Sequence, residues 1–181
     1  MDRTKIQLFK WDKQFDIESI HYDHLYLEEM LTSAFVHRQD YIKIIDALGR
    51  VQTSRATHET LENKDLVVKI ECMEKLSPLF HAVCKGLGIA CDHEGPVTAH
   101  LFVSPKDGIS FDMHTDPDDV FVYTVKGCKL MELENYGMVT IPEGWALFMP
   151  KNHPHRAINL DASVTISFGL EDFTLDKLYH A

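Results

Sequence analysis

Between Phe111 and Asp119 the chain reads FDMHTDPDD. His114 stands two residues before Asp116, and Asp118 and Asp119 follow Pro117. Residues i and i+2 of an extended chain point to the same side. An extended segment here would therefore present one imidazole nitrogen and one carboxylate oxygen together, which is part of a metal site. The candidates for a further ligand are His153 and His155, in PKNHPHRAIN. Two imidazoles and one carboxylate on a single face leave coordination positions open, the arrangement diagnostic of non-haem Fe(II) oxygenases. Pro117 argues against the strand continuing. Asp118 and Asp119 are thus expected to cap a turn or border an entrance, where their charge would attract a cationic substrate. His58, His81, His93 and His100 read as surface or internally satisfied histidines.

These residues need a scaffold, and from Gly95 onward the texture is that of short strands. PVTAHLFVSP, DVFVYTVKGCKLMELE, GMVTIP, WALFMP, HRAINL and SVTISFGL are β-rich runs separated by Gly, Pro, Asn and Asp. Many short strands at this spacing indicate a sandwich or barrel. The first half reads mainly helical. His24 to Arg50 carries apolar residues near helical spacing, first Leu25 to Phe35 and then Tyr41, Ile42, Ile45 and Leu48, with Gly49 as a stop. Asp65 to Glu71, DLVVKIE, reads as a strand, and Met73 to Gly88 returns to helical period with a start at Ser77-Pro78. The expected organisation is a single domain over 1–181. It has a largely helical bracing region at 1–94, a β core at 95–173 and a short C-terminal helix at 174–181.

Composition narrows the function. The chain has 181 residues, 45% hydrophobic and 25% charged, enough for one domain with a real core. The formal net charge is −10 and no Lys/Arg cluster is visible, which disfavours a nucleic-acid partner. No apolar run reaches the roughly 18 residues of a membrane helix, and the N-terminus lacks a signal-peptide core. A cytoplasmic protein is expected. Its cysteines, Cys72, Cys84, Cys91 and Cys128, form no Cys-x-x-Cys pair and are expected to be reduced.

Gly108 to Gly127 resembles the first cupin motif: Gly108, five residues, His114, one residue, Asp116, three residues, Val120, six residues, Gly127. In the family's usual form a second His replaces Asp116 and a Glu replaces Val120. Gly144, Pro150, Asn152, His155 and Asn159 resemble the second motif, with Asn152 where a Gly is usual. This alignment selects His155 over His153. The segment HTDPDDVFVYTVKGCK is similar to the JmjC oxygenases, especially their ribosomal-oxygenase branch. That resemblance covers about residues 96–170 and implies a double-stranded β-helix with flanking helices. It further implies Fe(II) held by His114, Asp116 and His155, with 2-oxoglutarate as cosubstrate and O2 as oxidant. Lys129, fifteen residues after His114, falls on the lysine that binds the distal carboxylate of 2-oxoglutarate. Ser167, in VTIS, falls on a position that helps hold it.

A buried dicarboxylate needs a cation at its far end, which independently favours an inward Lys129. By period two, Tyr123 is expected on the inward face with Val125, Gly127 and Lys129, where it would supply a further hydroxyl. The branch usually carries Asn and Tyr on the preceding strand, where this chain has His100 and Phe102. Retention of Asp116 argues against halogenation, since halogenases resembling this family lose that carboxylate. The implied activity is hydroxylation of a C–H bond in a peptide or a small amino-acid-like substrate. The alternatives are a cupin dioxygenase or isomerase that needs no Lys129, and a non-enzymatic cupin that binds a ligand or serves as an interaction scaffold.

Overall fold

The computed structural model describes residues 2–11, 17, 24–37, 41–45, 50–53, 66–108 and 110–172. Each of the six β-rich runs forms one strand: β5 (Val97–Ser104), β6 (Asp119–Leu133), β7 (Gly137–Pro142), β8 (Trp145–Met149), β9 (His155–Ile158) and β10 (Ser163–Leu170). They make a double-stranded β-helix. Its larger wall runs β8-β6-β10-β5, and its smaller wall is β7 and β9 on either side of the second half of β6. All these pairings are antiparallel.

The N-terminal half contributes more strand than its sequence suggests. β1 (Gln7–Lys10) pairs with β8, while β4 (Val67–Ile70) pairs with β5 and carries β2 (Ile42–Ile45) and β3 (Val51–Thr53) outward. The apolar stripe at Tyr41–Leu48, expected to be helical, contains strand at Ile42–Ile45. Its core, IKII, is β-branched, and Ile42 pairs with Ile70 in the extended sheet. Short apolar runs fit either period, and sheet pairing decides here. Helix α1 spans His24–His37; α2 (Met73–Leu76) and α3 (Pro78–Ala90) are separated by Ser77, which is extended. Pro78 disfavours a helical conformation at the residue before it, so α3 starts at the expected Ser77-Pro78 and the residues before it form the separate α2. The C-terminal helix expected at 174–181 lies outside the described residues. Among those residues no helix is long and apolar enough to cross a membrane.

The larger wall is apolar on its outer face and mixed on its inner one. Ala99, Leu101, Phe121, Tyr123, Ile166 and Phe168 pack with Phe80, Val83 and Leu87 of α3 in the main core. The alternate residues, including Thr98, His100 and Phe102 on β5 and Thr165, Ser167 and Gly169 on β10, line a cavity.

Strand β6 belongs to both walls, and its alternation changes phase midway. Val120 and Val122 face the cavity in the first half, Lys129 and Met131 in the second. Against β10, Thr124 pairs with Thr165 and Lys126 with Val164, leaving Val125 as the extra residue of a bulge. Gly127 follows with φ +77°, and a Cβ there would collide with the carbonyl oxygen of Ala162. Gly127→Ala should therefore lower stability by about 2 kcal/mol or more in denaturant melts. Gly137 also has positive φ but has nothing within 4 Å of an added methyl, so Gly137→Ala should cost only about 1 kcal/mol. Equal losses would mean that backbone conformation alone, and not the Ala162 contact, demands glycine at 127.

Candidate functional site

The structure brings His114, Asp116 and His155 together. Each offers one ligand atom, and these atoms lie within 4.8 Å of one another. The segments that carry them are tied through the backbone. The His114 N–H donates to the His155 carbonyl at 3.0 Å, and the His155 N–H returns the bond at 2.8 Å. The Asn152 N–H donates to the Asp116 carbonyl at 2.7 Å. Asn152 has φ +61°, a left-handed conformation that asparagine tolerates.

Hydrogen bonds also select the imidazole tautomers. His114 Nδ1 lies 2.7 Å from the Asp112 carbonyl oxygen, and His155 Nδ1 lies 2.9 Å from that of His153. A carbonyl only accepts, so both Nδ1 atoms carry hydrogen and both Nε2 atoms keep a lone pair when the rings are neutral. Such outer bonds commonly orient metal-binding histidines. Two Nε2 atoms and one carboxylate oxygen fit a transition metal.

In the metal-free protein His155 Nε2 lies 3.4 Å from Asp116 Oδ2. Burial opposes charge on both groups. The hydrogen bond and mutual attraction outweigh it, so the Asp116 carboxyl sits below its usual range and the His155 imidazole above. His153 contributes its carbonyl rather than its ring, which stands edge-on to Tyr136 at 5.6 Å.

The same cavity, of about 270 Å³, is lined by Lys129 and Ser167 as well as by His114, Asp116 and His155. Lys129 is only 4% exposed. Its Nζ donates to Ser104 Oγ at 3.1 Å and to Asn159 Oδ1 at 2.6 Å, both neutral acceptors. Asn159 is itself held through Nδ2, which donates to the Gly108 carbonyl at 2.7 Å. An ammonium has three protons, and no described residue accepts the third. Burial pushes the Lys129 ammonium down to about 8. A buried cation that faces a cavity and meets no carboxylate among the described residues is a place for an anion.

Other expectations land elsewhere. Tyr123 does not share the inward face with Lys129. It is fully buried on the opposite face, with its ring 4.9 Å from that of Trp11. The bulge at Val125 breaks the period-two count that placed the two together. His100, read as a surface or satisfied histidine, lines the cavity. Asp118 also lines the cavity, and its Oδ1 accepts from the Asp172 N–H at 3.3 Å. Asp119 is pinned instead, bridged to Arg3 at 2.6 Å and accepting from the Lys151 N–H at 2.9 Å. Sequence reasoning missed Ser104 and Asn159 as partners of Lys129. Asn159 had a signal, since it ends the second cupin-like motif. Ser104 had only its parity with His100 and Phe102 on β5.

A double-stranded β-helix with a His-Asp-His cluster lining its cavity is thus defined. Among solved structures the chain is similar to YcfD, a ribosomal oxygenase from Escherichia coli. Its complex with cobalt and 2-oxoglutarate superposes with a TM-score of 0.70 at 15% identity, covering 98% of this chain and 51% of that one. Its complex with cobalt and succinic acid gives 0.69 at 14% identity, with 98% and 51% covered. The chain spans about half the length of these proteins. No protein-family model and no curated protein sequence matches it.

The depressed Lys129 ammonium has a consequence for stability. The folded value, about 8, lies below the unfolded value near 10.5, so the unfolded chain binds more protons between those limits. Stability of the ligand-free protein should rise with pH across that window, by at most about 3 kcal/mol from this residue. Below pH 8 the burial penalty is fully present. Lys129→Met should flatten the rise in denaturant midpoint between pH 8 and 10. An unchanged slope would mean that Lys129 is not the group responsible.

Proposed function

We propose that the protein is an Fe(II)- and 2-oxoglutarate-dependent oxygenase. It hydroxylates a C–H bond of a peptide or protein side chain, or of an amino-acid-like small molecule. The observation that carries this reading is one cavity lined by both a His-Asp-His cluster and a buried lysine that meets only neutral acceptors among the described residues. A metal site alone would suit any cupin; the lysine calls for a ligand with a second anionic end. The likeness to YcfD, solved with cobalt and 2-oxoglutarate, supports the same reading.

His114 and His155 would hold iron through Nε2, and Asp116 through a carboxylate oxygen. When bound, the iron supplies O2 activation coupled to decarboxylation of 2-oxoglutarate to succinate. The chain's own residues bind and orient. Lys129 takes the distal carboxylate with its third ammonium proton, while Ser104 and Asn159 fix the ammonium. Ser167 offers a hydroxyl from the larger wall. Val120, Val122, Phe102 and Met131 give the cavity apolar surface that excludes water from the reacting groups. Asp116 would supply a carboxylate ligand where a halogenase would need a place for halide, which favours hydroxylation. A protein-side-chain substrate accords with the likeness to YcfD, a ribosomal oxygenase. Asp118 and Glu171 also line the cavity and give it a negative contribution suited to a cationic substrate group.

Anaerobic Fe(II) with 2-oxoglutarate should give a visible charge-transfer band, and O2 should then yield succinate. His155→Ala should abolish the band and His153→Ala should keep most of it. Asp116→Ala should lose substrate oxidation while retaining some iron. Lys129→Ala should weaken 2-oxoglutarate binding roughly ten- to hundredfold, the effect of losing a charged hydrogen bond, with metal affinity nearly intact. A wild-type protein that binds Fe(II) but shows no affinity for 2-oxoglutarate would overturn the assignment in favour of a cupin acting without it.

A further inference from the structure

Helix α3 carries glycines at 86 and 88 near its C-terminal end, and the chain then turns through His93–Pro96 into β5. Gly88 brings no side chain to the space between α3 and the start of β5. A groove of about 780 Å³ opens there, against about 270 Å³ for the cavity. Gly88, Cys84 and Val97 give it apolar surface. Ile89 lines it as well and is 83% exposed, so the fold leaves a large apolar side chain uncovered beside the groove. Thr98 and Glu171 line both hollows, which therefore share one rim.

The groove also holds an acid without a cation. Glu74 of α2 lines it, and its Oε2 accepts from the Ala99 N–H at 2.9 Å. Burial holds the Glu74 carboxyl above the usual carboxylate range in spite of that bond. No described residue forms an ion pair with it. Lys75 lines the groove too, but its ammonium lies over the Tyr41 ring, 5.8 Å from the centroid. Lys85 is exposed, and Asp172 is already bridged to Lys151 at 2.9 Å. Glu94 and Glu171 add to the negative lining.

A complementary ligand has an apolar part, a cationic group and enough length to cross the rim. Two hollows that share a rim suit a chain that leaves a side chain in each. A small molecule seated in the cavity would leave both Ile89 and Glu74 uncovered. A nucleic acid would bring phosphates to an acidic lining on a chain of net charge −10. The same charge attracts a basic polypeptide.

We propose that the groove between α3 and the start of β5 docks a basic flank of a polypeptide substrate. Glu74 takes an ammonium or guanidinium group of that flank, and Ile89 packs against its apolar part. The segment between the flank and the residue to be oxidised crosses the rim at Thr98 and Glu171. This rests on the function proposed above, and within it selects a polypeptide over a free amino-acid-like molecule.

Fluorescence anisotropy with fluorescein-labelled octalysine and the Zn(II)-loaded protein tests it. Wild type should bind octalysine and should not bind the same peptide acetylated on every side chain. Glu74→Gln keeps an acceptor for the Ala99 N–H, and Ile89→Lys changes a position that is already exposed. Each should raise the dissociation constant at least about fivefold. Asp161→Asn removes the same charge from an exposed residue that lines neither hollow, and should stay within about twofold of wild type. In methyl NMR octalysine should move the Ile89, Val97 and Thr98 resonances. Equal weakening by Glu74→Gln and Asp161→Asn would mean that net charge alone attracts the peptide, and would overturn the proposal. Unmoved Ile89 and Thr98 resonances would do the same. Spermidine binding at these methyls as tightly as octalysine would also overturn it, in favour of a small-cation site. Calorimetry of 2-oxoglutarate with the same wild-type protein separates the two failures. If 2-oxoglutarate binds and octalysine does not, the groove alone fails. If octalysine docks and 2-oxoglutarate does not bind, the groove stands as a polypeptide-docking surface and the oxygenase assignment falls.

Discussion

Strand β6 has to present side chains to the cavity from both walls, and an unbroken strand cannot do this. Were the alternation of its first half continued, Lys129 would share a face with Phe121 and Tyr123. Its ammonium would then press into the core formed by Trp11, Phe80 and Phe168. Burying a charge there without a partner costs several kcal/mol. The extra residue at Val125 and the positive φ of Gly127 reverse the phase, and the ammonium meets Ser104 and Asn159 instead. The chain reaches that arrangement only because Ala162 can approach a backbone position that has no Cβ.

The cavity that results is polarised. Lys129 lies at one end with two neutral acceptors and no carboxylate partner among the described residues. Asp116 lies towards the other, beside two imidazoles. Fully paired, the lysine would be a structural ion pair and leave little attraction for a ligand. Left alone, it keeps a free-energy cost that an incoming carboxylate relieves. Lysine suits this position better than arginine. Its three protons divide between Ser104, Asn159 and the cavity, whereas a guanidinium would bring five donors to satisfy in the same volume.

What the sequence reveals and what it hides follow from the range of the interactions. The strands after Gly95 are written locally, as β-branched and aromatic runs between turn residues, and each appears in the structure. His114, Asp116 and His155 meet because their spacing sits within two hairpin-scale motifs whose geometry is also local. Tyr123 went to the wrong face because a bulge is invisible to a period-two count, and one extra residue inverts everything beyond it. Ile42–Ile45 was misread for a related reason. Its apolar spacing fits a helix, but β4 supplies a partner that only the folded sheet reveals. Ser104 carried only its parity on β5, since its role exists only once β5 and the second half of β6 face each other.

The ligand cluster is held by the main chain on every side. The reciprocal bonds between His114 and His155 fix the separation of the two histidine backbones. The Asp112 and His153 carbonyls fix the ring orientations, and the Asn152 N–H holds the loop that carries Asp116. The ordering entropy of these groups is therefore spent during folding rather than on ligand binding. This differs from small zinc domains, in which the metal supplies the folding energy and the apo chain is disordered. Here the extended sheet and its helix-packed core supply that energy. A site organised in this way can keep coordination positions open, because closing the fold does not require the metal to use every ligand it can take. Its weak point is the proton. The proximity of His155 to Asp116 favours protonation of the same Nε2 that a metal would use, so the preorganisation that brings three ligands together also sets up their main competitor.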